Sequence, residues 1–259
     1  MNPIKSIEAR YQTLIMKYFE KTKFSKNLSK LKSIHKDKTC FIIGNGPSLT
    51  PEDLNVLHKN NIPTFAFNRI YLMFDKTDWR PTYYMSQDEK TLKNCVDQVS
   101  AMDLKYKFIP INLKFYMDIS IKNATYFKMN HQPANSFSSD ISSFVGNSNT
   151  VAFTAAQFAA YMGFNKIYLI GVDHNFSVTV NSKGDIIRDN SVKDYFTEAY
   201  NKDKDELYIP NLDESTKAYI AMKKYCDSNN IEVYNATRGG KLEVFPRVDF
   251  DKINFEREK

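Results

Sequence analysis

From residue 39 onward, short apolar runs rich in β-branched and aromatic residues alternate with amphipathic stretches. This alternation predicts strands over residues 39–43, 63–67, 82–85, 107–111, 166–170 and 231–234, and helices over residues 51–59, 89–102, 150–162 and 215–227. Strands that alternate with helices are typical of a parallel, doubly wound sheet. We therefore predict an α/β, mostly parallel, Rossmann-like fold. Residues 114–145 lack clean periodicity, and we expect strands and loops near the site there.

The first 38 residues have a different pattern. Apolar residues recur at helical spacing and form one stripe, which comprises Ile4, Ile7, Tyr11, Leu14, Ile15, Tyr18 and Phe19. Lysines follow, and they hold much of the net charge of +6. Such a basic amphipathic segment either lies on an anionic membrane surface or packs on the domain or on a second copy, with solvated lysines. We therefore divide the chain into a helical segment, 1–38, and a Rossmann-like domain, 39–259.

The polar stretch 177–212 is long for a structureless connection and includes a turn at 181–184. We expect a lid or an inserted subdomain over the site.

Composition narrows the function classes. The three cysteines are widely separated, as expected for reduced thiols, and no apolar run reaches the roughly 20 residues that span a bilayer. We therefore expect a cytoplasmic protein, with a peripheral position on the inner face of the membrane as the alternative. The aromatics are not interleaved with basic residues, so no nucleic-acid partner is predicted.

The first predicted strand ends abruptly in a glycine turn, Gly44-Asn45-Gly46-Pro47-Ser48, which can place backbone amides at the mouth of the sheet. Thr50 and Pro51 then mark a helix start. A strand, a glycine turn and a helix N-terminus often hold a phosphate or a nucleotide, although an ordinary βα turn has the same elements. The spacing matches neither GxGxxG nor a Walker loop.

In an open parallel sheet, ligands bind at the carboxyl ends of the strands. The polar residues predicted there are Asn45, Gly46, Ser48, Asn68, Arg69, Ser86, Gln87, Asp88, Asp173, His174, Thr237, Gly239 and Gly240. Hydrogen-bonding residues with few acids suit a ribose, a base edge and a phosphate. No dedicated metal site is predicted, although Asp88 and Asp173 are an alternative pair for Mg²⁺.

Among the four histidines, His174 follows a predicted strand directly and is our candidate general base, with Asp173 or another carboxylate to orient it. The alternative is a histidine that only hydrogen-bonds its loop. His131 is a secondary candidate. Arg69 and Arg238 suit either a bidentate phosphate contact or a surface ion pair.

The segments 41–49 and 166–173 and the pair Asn68-Arg69 resemble two related groups: the bacterial lipooligosaccharide sialyltransferases of glycosyltransferase family 42, and the MptE-like (DUF115) domains. The resemblance to the sialyltransferases implies contacts to a cytidine-monophosphate donor by Asn45, Gly46, Ser48, Asn68 and Thr150. Val151-Ala152 replaces the Ser-Gly of those enzymes, and residues 208–215 lack their catalytic histidine. The Asp173-His174 pair and the 239–241 turn are more similar to the MptE-like domains.

These observations predict a sialyltransferase-like glycosyltransferase that moves a sugar, such as sialic acid, from a nucleotide-activated donor to a surface-glycan acceptor. No cofactor is expected. One alternative is a Mg²⁺-dependent diphosphokinase of the 6-hydroxymethylpterin type. Another is a non-catalytic nucleotide- or glycan-binding module that docks to a membrane assembly through residues 1–38. A homo-oligomer is compatible with each of them.

Overall fold

A computed structural model describes residues 3–181, 183–202, 208–256 and 258, and only the backbone of residues 3–6. The strands are β1 (Thr39–Ile43), β2 (Thr64–Phe67), β3 (Tyr83–Met85), β4 (Lys107–Pro110), β5 (Ala124–Phe127), β6 (Met129–Asn130), β7 (Val145–Gly146), β8 (Lys166–Ile170), β9 (Val178–Val180), β10 (Ile186–Arg188) and β11 (Glu232–Asn235). The α-helices are α1 (Pro3–Lys17), α2 (Lys23–Ser29), α3 (Pro51–Lys59), α4 (Glu89–Lys93), α5 (Val96–Ala101), α6 (Ile111–Met117), α7 (Val151–Met162) and α8 (Leu212–Ser228).

The central sheet has seven parallel strands in the order β11–β8–β1–β2–β3–β4–β5. All five residues of β1 are buried, as expected for a central strand covered on both faces. The predicted α/β, mostly parallel, Rossmann-like fold is confirmed.

Strand order reverses at β1. Strands β2 to β5 follow on one side of β1, whereas β8 and β11 lie on its other side. In open α/β sheets the ligand crevice lies at the carboxyl ends of the strands where the order reverses. The turn after β1 and the segment after β8 therefore border this crevice.

Two of the element predictions are wrong. The single helix expected over residues 89–102 is two short helices, α4 and α5, because Cys95 between them adopts a non-helical φ of −141°. Residue 111, predicted as the end of a strand, instead begins α6 directly after β4. Local periodicity did not show this change of structure, since Ile109 and Ile111 are both fully buried.

The N-terminal segment packs on the domain in part. Phe19 and Leu28 are buried, and the ring of Phe24 in α2 meets Tyr126 of β5 edge to face at 5.9 Å. The boundary at residue 38 stays a prediction. In the described part of the chain, no helix is long and apolar enough to cross a membrane.

The stretch predicted as a lid has structure of its own. Strands β9 and β10 form an antiparallel hairpin, and a 3-10 turn covers Glu198–Asn201. Residue 182 and residues 203–207 of this stretch lie outside the described residues.

Candidate active site

The glycine turn after β1 is pressed against the end of β8. The amide of Gly44 donates to the carbonyl of Ile170 at 2.8 Å, and that of Gly46 donates to Gly171 at 2.9 Å. A Cβ on Gly46 would overlap the Asp173 carboxylate and lie 2.8 Å from the Gly171 carbonyl oxygen. Position 46 therefore requires glycine, because the turn lies so close to the end of β8 that no side chain fits. The amides of Gly44 and Gly46 are thus both engaged by β8 and the residue after it, and the binding of a phosphate by this turn stays a prediction.

Asp173 is held by the same turn. Its Oδ2 accepts a 2.7 Å hydrogen bond from the Ser48 hydroxyl. Burial raises the pKa of the Asp173 carboxyl above its usual value, and the hydrogen bonds from Ser48 oppose that rise. The glycine turn thus holds the Asp173 carboxylate in place, and no hydrogen bond joins the side chains of Asp173 and His174.

His174 is oriented by α8 instead. Its Nε2 lies 2.8 Å from the Thr216 hydroxyl, which donates its single hydrogen to the Leu212 carbonyl at 2.8 Å. We therefore assign a hydrogen to Nε2, which leaves Nδ1 as the proton acceptor of the neutral ring. Burial lowers the pKa of His174 below its ordinary value, so the imidazole is neutral at pH 7. The ring of Tyr219 meets the imidazole edge to face at 5.6 Å.

The ends of β2 and β3 form the next part of the wall. Asn68 has a left-handed φ of 49°, and its Oδ1 accepts a 3.2 Å bond from the Ser86 hydroxyl. The Oε1 of Gln87 accepts a 2.5 Å bond from Thr154 of α7. Asp88 caps α4 through a 2.6 Å bond from the Thr91 amide. These bonds fix the polar side chains before any ligand is bound.

Two longer helices begin at the cavity. Thr150 caps α7 by accepting from the Ala152 amide at 3.3 Å, and Asn211 caps α8 by accepting from the Glu214 amide at 3.0 Å. The hydroxyls of Thr150 and Tyr219 lie 3.1 Å apart and link the two helices. The N-terminus of a helix carries about half a positive charge, so both helices favour an anion in the cavity.

The predicted lid contacts the glycine turn directly. The amide of Phe196 donates to the Asn45 carbonyl at 3.1 Å, and the Asn45 side-chain amide lies 3.4 Å from the Tyr200 hydroxyl. The rings of Tyr195 and Tyr200 stack at 3.8 Å. The buried Oδ1 of Asn45 has no hydrogen-bond partner in the described part of the chain. A bound ligand can satisfy such an acceptor.

Together these segments enclose a cavity of about 570 Å³. Eight of the predicted site residues line it: Asn45, Gly46, Asn68, Gln87, Asp88, Thr150, Asp173 and His174. The secondary candidate His131 lines it as well. Among the described residues the lining contains no Lys or Arg, and no group of three or more His, Cys, Asp or Glu is placed to hold a metal ion.

The other predicted site residues lie outside the cavity lining. Ser48 and Ser86 stand behind it and hold Asp173 and Asn68. The buried Arg69 donates to the Tyr200 carbonyl at 2.8 Å. Thr237 accepts from the Val172 amide at 3.1 Å.

The glycine turn after β11 also lies outside the lining. A Cβ at Gly240 would meet the Asp173 backbone at 2.8 Å, whereas Gly239 has open space around it. Arg238 directly precedes these two glycines in the chain, and it forms ion pairs with Asp53 at 2.7 Å and with Asp251 at 2.9 Å. Its guanidinium is thus engaged by carboxylates.

Sequence reasoning missed several lining residues. Ser215 and Tyr219 lie one helical turn apart on α8, and that spacing is visible once the helix is assigned. The polar run 147–149 before α7 was also visible. Tyr195 and Tyr200 carry no local signal, because only the fold of the 177–212 stretch brings them to the cavity.

The fold and the cavity define an open parallel α/β protein with a polar crevice at the point where strand order reverses. The family model described as 6-hydroxymethylpterin diphosphokinase MptE-like matches residues 12–179, more than half of the chain. The chain therefore belongs to this MptE-like family.

One solved structure with the same fold is the MAf glycosyltransferase from Magnetospirillum magneticum AMB-1, at a TM-score of 0.51 and 14% sequence identity. The alignment covers 89% of this chain and 38% of that chain, so this chain spans well under half of that protein's length. The likeness shows a shared fold. No curated protein matches the sequence.

Proposed function

We propose that this chain is a glycosyltransferase that binds a nucleotide-activated sugar in the cavity and passes the sugar to an acceptor hydroxyl of a surface glycan. The observation that carries the proposal is the cavity itself. Polar side chains from four strand ends and two helix starts meet there beside a half-buried, neutral histidine. Such a set of groups suits a nucleotide and a proton transfer.

The charges of the lining favour a donor with one phosphate. A nucleoside diphosphate brings two phosphates, which proteins ordinarily neutralise with Lys, Arg or a divalent cation. The described lining has no Lys or Arg, and it includes Asp88, Glu89, Asp173 and Asp194. The starts of α7 and α8 together supply roughly one positive charge. We therefore expect a nucleoside-monophosphate sugar, with CMP-sialic acid as the first donor to test.

His174 is the base in this proposal. The acceptor hydroxyl gives its proton to Nδ1 of His174 as its oxygen forms the new bond to the anomeric carbon. The bond from that carbon to the phosphate oxygen breaks, and the nucleotide leaves with the electron pair. Thr216 holds the ring by its Nε2–H. Removing such a proton-transfer group typically lowers the rate about 10² to 10⁴-fold.

A separate groove of about 450 Å³ beside the cavity is our candidate binding site for the acceptor. It runs along α8 and is lined by His174, Thr216, Ile220, Lys223, Lys241, Leu242, Glu243 and Val244. Among the described residues, His174 alone borders both spaces. A donor in the cavity and an acceptor in the groove would therefore meet at the imidazole, as a two-substrate transfer requires.

The test compares histidine variants in donor turnover. CMP-, UDP- and GDP-sugars are incubated with the purified protein, and nucleotide release and nucleotide binding are followed separately. We expect His174→Gln to bind the nucleotide like wild type and to release it about 10² to 10⁴-fold more slowly. His58→Gln, on the exposed end of α3, is the matched control. Full turnover in His174→Gln, or loss of turnover in His131→Gln alone, contradicts the assignment.

The family description favours a second candidate, transfer of diphosphate from ATP to a hydroxymethylpterin. This reaction places Mg²⁺ on the transferred phosphates, commonly with carboxylate ligands and basic side chains. ATP binding that depends on Mg²⁺, with no response to CMP, supports this candidate against the glycosyltransferase. A protein that binds a nucleotide-sugar without turning any over supports a non-catalytic binding module.

A further inference from the structure

One face of α1 is apolar and uncovered. Ile7, Tyr11, Leu14 and Tyr18 are 68%, 59%, 55% and 45% exposed, respectively. Their spacing of four, three and four residues places them on one side of a helix. Tyr18 follows the last residue of α1 and stays bonded to the helix, because its amide donates to the Leu14 carbonyl at 2.9 Å. We call these four residues the exposed stripe.

The stripe is distinct from the face by which α1 packs on the domain. Ile15 is 9% exposed and Phe19 is 1% exposed, and both belong to the main core. The apolar pattern of residues 7–19 therefore serves two surfaces, one turned to the core and one turned to solvent. A stripe of large apolar side chains turned to solvent is expected to have a partner.

The positive charge of the protein is concentrated in the N-terminal segment that carries the stripe. Residues 1–38 contain ten Lys or Arg and three acids, a net +7 against +6 for the whole chain. The lysines from 17 to 38 are exposed, and none of them pairs with a carboxylate of the described residues. Lys17 and Lys21 lie over the Tyr18 ring at 5.3 and 5.6 Å.

We propose that α1 binds an anionic lipid surface, with the exposed stripe among the acyl chains and the lysines at the lipid phosphates. A helix with an apolar face and a cationic border lies in the plane of such a surface. Each lysine gains from the negative potential there, and a tyrosine places its ring in the apolar layer and its hydroxyl at the headgroups.

Charge and size favour a lipid surface over a second copy of the chain. A stable protein interface takes about 20 to 30 residues a side, whereas the stripe has four. Two copies joined through it would also bring their Arg10, Lys17 and Lys21 side chains together. Like charges at an interface oppose association.

The test uses the full chain and vesicles. Co-sedimentation is measured with phosphatidylcholine vesicles that contain about 30% phosphatidylserine, and with phosphatidylcholine vesicles alone. The double variant Tyr11→Ser, Leu14→Ser removes the centre of the stripe. The matched control, Ile186→Ser with Ile187→Ser, removes two apolar side chains of β10 that are 53% and 52% exposed. All four side chains are exposed, so equal melting temperatures are expected and confirm folding.

We expect wild type and the control to bind the anionic vesicles and to leave the neutral ones unbound. The stripe variant should bind at least about tenfold more weakly, and raising the salt concentration should release wild type. The proposal is overturned if wild type does not bind anionic vesicles, or if the stripe variant binds as wild type does. A wild-type dimer that the stripe variant converts to a monomer also overturns it, since a second copy then covers α1.

Discussion

Gly46→Ala is the substitution that most directly probes the contact between the glycine turn and β8. The added Cβ would overlap the Asp173 carboxylate, and it would lie 2.5 Å from the carboxyl carbon and 2.8 Å from the Gly171 carbonyl oxygen. One of these groups must move. Movement of Asp173 breaks its 2.7 Å bond from Ser48.

The expected loss of folding free energy follows from these contacts. Overpacking costs about 1 to 3 kcal/mol, and a lost hydrogen bond to a partly buried carboxylate adds about 1 to 2 kcal/mol. Alanine also restricts the unfolded chain, which returns about 0.4 to 1 kcal/mol. We therefore expect Gly46→Ala to lower the free energy of unfolding by about 3 kcal/mol, or the melting temperature by roughly 6 to 12 °C.

A double-mutant cycle measured by urea denaturation identifies the cause. In an Asp173→Ala background the carboxylate is absent, so Gly46→Ala should cost at least about 1 kcal/mol less. Gly239→Ala is the matched control, because its φ of +66° imposes strain while its Cβ position is open. The loss of stability caused by Gly239→Ala should be the same in wild type and in Asp173→Ala. The reasoning is refuted if Gly46→Ala leaves stability unchanged, or if its cost is independent of Asp173.

Three further predictions concern His174, which is half-buried, and the buried side chains of Lys107 and Gln157. Burial lowers the pKa of His174, and the base acts in its neutral form, so the turnover rate should not change with pH around pH 7 and should fall only below pH 6.5. A turnover rate that already falls with decreasing pH above pH 6.5 contradicts the assignment. Lys107→Met should cost about 2 to 4 kcal/mol in denaturation, since the buried ammonium bonds three carbonyls around the end of α5 at 3.0 to 3.1 Å. Gln157→Leu should cost a similar amount and expose the 138–146 loop to hydrogen exchange, because its Oε1 accepts from the Ser138 and Gly146 amides at 2.9 and 2.8 Å.

The sequence predicts the fold because strand and helix periods are local signals. The apolar runs that form β1 and β8 and the capped start of α3 at Thr50 are evident from residues within one element. The parallel sheet then gathers Asn45, Asn68 and His174 at one edge without further information. Their roles in binding and catalysis stay predictions.

Other features depend on contacts between distant segments. The bonds from Phe196 to Asn45 and from His174 to Thr216 join residues far apart in the chain, and no periodicity encodes them. The sequence therefore predicted which strand ends meet. It named Asp173 or another carboxylate as the group that orients His174, whereas in the structure Nε2 of His174 lies 2.8 Å from the Thr216 hydroxyl of α8.

A crystal structure of the protein soaked with CMP would show where the nucleotide binds. We expect nucleotide density in the cavity between the glycine turn and the start of α7, with the phosphate at the first turn of α7 or α8 and His174 facing the vacant sugar position. Nucleotide density elsewhere on the protein, with this cavity empty, would contradict this expectation.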